Sequence, residues 1–356
     1  MSMIIADSSS MQEQCAVFAG LLGRDVIEMK PLPGGRNSRV FCLICPDNSC
    51  YAGKVYMADP DDCRDRLGTE FRALSFLWER GERSIPQPIA MSRKSRCAIY
   101  EFVRGATLSS AVNETAIDSA VAFLVRLRDY GRRNDACFVG DASEACFSAE
   151  DIVTNITFRL QRLRSFPDCA EAADMVQTFL QDDFFPFWDE TRQWHRQKMN
   201  ESGKGFEESL SSAERTLSPS DFGFHNCLFT DDRQRKIVFL DFEYFGWDDP
   251  AKMIADFLLH PGMSLPGQLK RKFFGRITAA FADCPQLAER VEAVYPLYGL
   301  KWCLILLNEC IPAGRRRRHF ATGSGKQSGC LPQLRKAQQL LLKLKAEFGK
   351  FPYGVN

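Results

Sequence analysis

The stretch Ser218-Pro219-Ser220-Asp221-Phe222-Gly223-Phe224-His225-Asn226, followed by Ile237-Val238-Phe239-Leu240-Asp241-Phe242-Glu243, decides how the chain is read. An Asp and an Asn stand five residues apart in a loop. Two β-rich runs follow, Cys227-Leu228-Phe229 and Ile237 to Phe242, turned at Asp231-Asp232-Arg233, and a second Asp closes the second run. A carboxylate in such a loop can orient or deprotonate an attacking hydroxyl, while Asn226 and Asp241 supply oxygen ligands to a Mg²⁺ that bridges nucleotide phosphates. That is a layout for phosphoryl transfer. Asp and Asn are also ordinary turn residues, so the hairpin and the second Asp give the pattern its weight.

Working upstream, Leu32-Pro33-Gly34-Gly35-Arg36-Asn37-Ser38 joins an extended segment to a first hairpin, and its glycines let backbone N–H groups come close to phosphates. The hairpin pairs residues 38–45 with 50–57 across Pro46-Asp47-Asn48-Ser49. Lys54 lies inside its second strand, a poor place for a lone charge unless it is paired; the plain alternative is an exposed strand lysine. Glu70 is the natural partner, on a helix over 66–79 whose Leu67, Phe71, Leu74 and Leu77 share one face and which Gly81 stops. A further β pair ends in Ala98 to Val103. Past Arg104-Gly105 helices dominate: 115–129 with Ile117, Val121, Leu124 and Val125 as its stripe, then 148–165, 170–183, and a closing helix at 332–347 entered by Pro332. The expected fold is α+β with two lobes, residues 1–104 forming a small antiparallel sheet with one helix and residues 105–356 a larger, mainly helical lobe.

These motifs resemble the aminoglycoside phosphotransferase/choline kinase family, the small-molecule branch of the protein-kinase-like fold, from about Pro31 to Asp256. The resemblance implies that Asp221 is the catalytic aspartate and that Asn226 and Asp241 hold the metal. It further implies that Lys54 and Glu70 grip the α and β phosphates, that Gly34, Gly35, Asn37 and Ser38 cover them, and that the hinge from Tyr100 through Glu101 to Val103 takes the adenine. ATP or another nucleoside triphosphate, Mg²⁺ and a small-molecule hydroxyl acceptor such as a sugar, aminoglycoside or amino alcohol are the implied ligands. Glu243, giving D-F-E, is similar to choline-kinase-like members, and Asp249-Pro250 with Asp256 resembles the stretch that braces the active loop, a structural role. Pro219 and Ser220 stand where the family usually has His and Gly. The alternative reading is therefore a pseudokinase that binds nucleotide without turnover; a protein kinase is disfavoured because no A-P-E-like segment lies between Asp241 and Asp256.

Composition excludes other classes. Of 356 residues 45 % are hydrophobic and 26 % charged, values of an ordinary globular chain. A formal charge of +1 offers no whole-molecule field for nucleic acid. The start MSMIIADSSSMQEQ has no signal-peptide pattern, and Leu300 to Ile311 is broken by Lys301, Asn308 and Glu309, so a cytoplasmic chain without a membrane span is expected. The 14 cysteines read as reduced core residues, and the single CxxC at Cys42–Cys45 lacks a second pair for zinc. His195, His260 and His319 show no ligand spacing, and His225 reads as a residue satisfying loop backbone. Gly323-Ser324-Gly325-Lys326-Gln327 lacks the full P-loop pattern and is read as a loop. Arg315 to Arg318 is either a solvated face or a lure for an anionic acceptor near Trp302, Asn308 and Glu309; Trp247 or Trp302 would instead suit a quaternary amine. The acceptor, the choice of ATP or GTP and the oligomeric state stay open.

Overall fold

The computed structural model describes residues 2–33, 35, 37–59, 62–107, 112–133, 136, 139–163, 170–201, 203, 205–231, 236–322 and 329–354. Gly34, the turn residues Asp232 and Arg233, and the segment 323–327 therefore lie outside the described residues. The chain forms two compact units, one of Met1–Thr107, Cys227–Glu243 and Arg316–Lys326, the other of Leu108–Asn226, Tyr244–Arg315 and Gln327–Asn356. Among the described residues no helix is long and apolar enough to cross a membrane.

The first unit is built on a five-stranded antiparallel sheet in the order β1-β2-β3-β5-β4, from β1 (Glu28–Leu32), β2 (Ser38–Ile44), β3 (Cys50–Tyr56), β4 (Pro88–Ser92) and β5 (Cys97–Glu101). Strand side chains alternate between faces, and this alternation sorts β3 cleanly. Tyr51 and Val55 join the core cluster of Phe18, Phe41, Leu43, Cys97 and Ile99, while Lys54 and Tyr56 point to the opposite face. Gly53 lies under Phe18, where a Cβ would come within 2.8 Å of the ring. Phe18 belongs to α1 (Ser2–Leu22), a helix the sequence reading did not place. Its apolar residues are spread around the axis instead of forming one stripe, so periodicity gives no signal. Helix α2 (Arg66–Glu79) starts where Asp65 accepts the Gly68 N–H at 3.0 Å and buries Leu67, Leu74, Phe76 and Leu77. A short β6 (Gly105–Thr107) pairs with the hairpin Cys227–Thr230 and Ile237–Phe239 in a separate three-stranded sheet.

The second unit is helical. Its helices are α3 (Glu114–Gly131), α4 (Ala149–Arg162), α5 (Ala170–Thr178), α6 (Phe185–Glu201), α7 (Pro250–Leu259), α8 (Gly267–Ala280), α9 (Leu287–Leu306), the first turn of α10 (Pro312–Thr322) and α11 (Cys330–Glu347). A π-helical turn at Phe179–Phe184 joins α5 to α6. A two-stranded ribbon, Thr216–Ser218 against Gly246–Asp248, brackets the Asp221 loop. Helix α7 begins on a strong cap, Asp249 accepting the Ala251 N–H at 2.8 Å with Pro250 as its first residue.

Three sequence expectations change. Cys310 and Cys330, 20 residues apart, form a disulfide, and Cys63 is exposed, so the cysteines are not uniformly reduced core residues. The basic run is also different: Arg317 is largely buried and pairs with Asp59 at 3.6 Å and Asp62 at 3.5 Å within the first unit, and Arg316 approaches Asp59 at 3.9 Å. Arg317 and Arg316 thus act as ion-pair partners of the segment before α2 and not as a purely solvated face. Finally, Trp302 is buried with its indole N–H bonded to Asp256 at 2.8 Å, and Trp247 covers Gly131, so both rings are used in packing.

His195 on α6 is 1 % exposed, and neither ring nitrogen has a hydrogen-bond partner among the described residues. Burial holds its pKa down to about 4 against the ordinary 6.5. The unfolded chain takes up this proton as pH falls through 6.5 while the folded chain does not, so stability is lost on acidification. The expected loss attributable to this residue is about 2 kcal/mol between pH 7 and 4.5. Urea midpoints measured at both pH values check it: His195→Leu should flatten the acid limb, and an unchanged limb would refute the assignment.

Candidate active site

The first unit contributes a buried charge cluster. Lys54 Nζ, on the α2 face of the sheet, sits 2.7 Å from Glu70 Oε2 and 2.8 Å from Asp241 Oδ1. Burial opposes its charge, but Asp241, Glu70 and Glu243 outweigh burial and hold the ammonium well above the ordinary lysine range. Glu70 is fixed from a second side by the Tyr56 hydroxyl, which donates at 2.6 Å and lies 2.9 Å from the Tyr100 hydroxyl. Asp241 adopts φ +66°, a conformation costly for a non-glycine residue and concentrated at functional sites. Its other carboxylate oxygen takes no hydrogen bond among the described residues. Glu243 accepts from Asn37 Nδ2 at 2.5 Å and from Arg66 Nη1 at 3.3 Å, which ties the phosphate-loop candidate to the D-F-E turn. Burial and the neighbouring Asp241 push the Glu243 carboxyl up to about 7.

Gly35 has φ +79°, and a Cβ there would fall 2.5 Å from the Ser38 carbonyl oxygen, so only glycine fits this turn. Ser38 itself is buried. At the hinge, the Glu101 N–H donates to the Gln87 carbonyl at 2.8 Å and its carboxylate accepts from the Gln87 N–H at 3.2 Å; Val103 follows just beyond the strand end.

The second unit contributes the Asp221 loop. Phe222 and Phe224 enter an aromatic core with Phe123, Phe257 and Phe273, including a stacked Phe257–Phe273 pair 3.7 Å apart. Anchoring these two phenylalanines leaves Asp221 and His225 on the other side of the loop. Asn226 Nδ2 donates to the Asp221 carbonyl at 3.0 Å, which leaves the amide oxygen available. Ser220, at φ +66°, donates its N–H to Ser218 Oγ at 3.0 Å. Its hydroxyl lies 3.1 Å from Lys252 Nζ, itself fully buried between Asp248 at 2.6 Å and Asp256 at 3.3 Å. Support for the loop thus comes from Ser218 and from α7, in a chain that carries Pro219 and Ser220 there.

Sequence reasoning missed the imidazoles. His225 Nε2 lies 3.1 Å from Asp221 Oδ1, and His260 Nε2 reaches the same oxygen at 3.2 Å. His225 therefore serves the carboxylate and not the loop backbone. Burial pushes the Asp221 carboxyl up, but hydrogen bonds from the two histidines outweigh it and hold it well below the usual carboxylate range. The i, i+4 spacing of Asp221 and His225 across the turn Phe224–Asn226 was a readable signal; nothing local announces His260, which follows the end of α7. Ligand atoms of Asp221, His225 and His260 lie within 4.8 Å of one another, as do those of Glu70, Asp241 and Glu243.

The model of the phosphotransferase enzyme family known as APH matches residues 28–289. The chain belongs to that family. No curated protein matches this phosphotransferase. Its fold is similar to those of solved kinases. With the choline kinase LicA from Streptococcus pneumoniae it shares 13 % identity at a TM-score of 0.57, over 95 % of this chain and 99 % of that one. With a Plasmodium vivax ethanolamine kinase the figures are 13 % and 0.57, over 89 % and 81 %. An amicoumacin kinase solved in complex with AMP-PNP, Ca²⁺ and Ami matches at 13 % and 0.58, over 99 % and 98 %. At these identities the likeness establishes the α+β, protein-kinase-like fold. Within it, the phosphotransferase brings Lys54, Glu70, Asp241, Glu243 and Asn37 into one cluster in the first unit, and Asp221 and Asn226 into one loop in the second.

Proposed function

We propose that the protein is an ATP- and Mg²⁺-dependent kinase that transfers the γ-phosphoryl group to a hydroxyl of a small metabolite of the sugar, aminoglycoside or amino-alcohol type. The observation that carries this reading is Lys54 held between Glu70 and Asp241, a cation kept charged and fixed on the sheet. Each unit offers a ligand type that a hard cation takes: Asp241 in the first has one uncommitted carboxylate oxygen, and Asn226 in the second has a freed amide oxygen. Bound Mg²⁺ supplies neutralisation of the charge on the nucleotide phosphates. Lys54 grips the α and β phosphates, and the turn at Gly35 with Asn37 and Ser38 covers them. Asp221 accepts a hydrogen bond from the acceptor hydroxyl and orients its oxygen toward the γ phosphorus. As that oxygen's bond to phosphorus forms, the β–γ bridging bond breaks, its electron pair leaving on ADP, and the hydroxyl proton passes late to Asp221. Catalysis is positioning and electrostatics, without a covalent enzyme intermediate. Work in the cytoplasm, where the nucleotide is abundant, fits this reading.

ADP release from Mg²⁺-ATP across a panel of sugars, aminoglycosides and amino alcohols tests it. Acceptor-dependent ADP that disappears in Asp241→Ala is expected. Nucleotide binding with no acceptor-dependent ADP anywhere in the panel would favour the pseudokinase.

A further inference from the structure

We propose that His225 and His260 form a two-donor clamp that holds one oxygen of the Asp221 carboxylate and leaves the other facing the acceptor hydroxyl. The inference rests on the reading of Asp221 given above and assigns the part played by two residues that reading does not use. Both Nε2 atoms converge on Oδ1, at 3.1 and 3.2 Å, and Oδ2 takes no hydrogen bond among the described residues. The tautomer of His260 follows from its other nitrogen: Nδ1 accepts the Gly262 N–H at 3.0 Å, so Nε2 carries the proton and donates. That protonation also argues against an ion shared by Asp221, His225 and His260, because a metal ligand would need the Nε2 lone pair. The two rings stack in parallel, centroids 3.5 Å apart at 8°, which brings both Nε2 atoms to the same side of the carboxylate.

The clamp is built from behind. Trp302 meets the His260 ring edge-on at 4.6 Å, and its N–H is bonded to Asp256, the residue that also pairs with Lys252. Lys252 in turn reaches Ser220, next to Asp221. One buried chain of contacts, Ser220–Lys252–Asp256–Trp302–His260, therefore leaves the loop beside Asp221 and returns to its carboxylate. Two glycines make room for it. A Cβ on Gly223 would lie 2.9 Å from His225 Nδ1, and one on Gly262 would lie 2.9 Å from the His260 ring and 3.3 Å from His225 Cβ. A doubly held carboxylate is a weak base in a fixed orientation, which suits a transfer in which the hydroxyl must be aimed well before it loses its proton. His225 and His260 are positioning residues on this account.

The test uses the full-length protein, with Mg²⁺-ATP and either the acceptor found in the panel or water as acceptor. His260→Phe should lower kcat roughly 10- to 100-fold with KM for ATP unchanged. His260→Gln, whose amide N–H can reach Asp221, should restore most of the turnover. Full turnover in His260→Phe, alongside an inactive Asp221→Asn, would overturn the clamp and spare the reading of Asp221; full turnover in Asp221→Asn would overturn both. A second readout needs no turnover. The chain has only 4 histidines, so ring ¹⁵N spectra are readily assigned. His260 should appear as the neutral Nε2–H tautomer and shift in Asp221→Asn; an Nδ1–H form, or indifference to that substitution, would refute the proposal.

Discussion

Lys54→Met is expected to lower phosphoryl transfer roughly 10²–10³-fold, the scale seen when one preorganised charge-stabilising donor is removed, and to destabilise the protein as a separate effect. Lys54 is 7 % exposed and Glu70 4 %, so removing the cation strands a buried carboxylate beside Asp241 and Glu243. Breaking a buried pair from one side costs about 3–5 kcal/mol. The penalty has a pH signature. Burial already raises the Glu70 carboxyl against the pull of Lys54, and without Lys54 it rises further. The folded variant then holds a proton that the unfolded chain releases near 4.5, so its stability falls as pH rises above that value and recovers as pH drops toward it. Urea unfolding at several pH values should show a steeper slope for Lys54→Met than for the parent, in which Glu70 is already raised. The double variant Lys54→Met/Glu70→Gln should regain most of the stability and none of the turnover. Recovery of both would mean that Lys54 holds the fold and does nothing to the nucleotide.

That separation is possible because the cluster obeys rules visible in sequence. Alternation along Ala52-Gly53-Lys54-Val55-Tyr56 places Lys54 and Tyr56 on one face, and the helical stripe of 66–79 leaves Glu70 to face them, so two local periodicities suffice to pair the charges. The loop phenylalanines are legible in the same way, since alternation of Phe222 and Phe224 with Asp221 and His225 separates the core anchors from the polar groups of the loop. Contacts between distant segments carry no such signal. Arg317 pairs with Asp62 across 255 residues, and a basic run read alone looks like a solvated face. The Cys310–Cys330 bridge closes around α10, and fourteen cysteines in apolar surroundings offer no clue to one particular pair. Helix α1 is recognisable only from the sheet it covers, through Phe18 over Gly53. His260 belongs to this second group: its position is set by where α7 ends, and α7 is aimed by packing against α8 and α9.

Lys252→Met should be the most damaging single change in the helical unit. Lys252 is fully buried, and its ammonium is the only cation within 4 Å of both Asp248 and Asp256 among the described residues. Burial works against the charge, yet the two carboxylates outweigh it and hold the ammonium protonated far above neutral pH. A methionine of similar length would leave those carboxylates facing each other without compensation, at a cost of about 3–5 kcal/mol, a large fraction of a typical folding stability. Replacing all three, as Asp248→Asn/Lys252→Met/Asp256→Asn, removes the stranded charges and should recover much of that loss. Activity should not return with it. The triple variant still lacks the ammonium that reaches Ser220, so the loop next to Asp221 loses that support from α7. Chemical denaturation gives the first quantity and kcat the second. A triple variant both stable and fully active would show that the charge cluster serves the fold alone, with the Asp221 loop held by its phenylalanines.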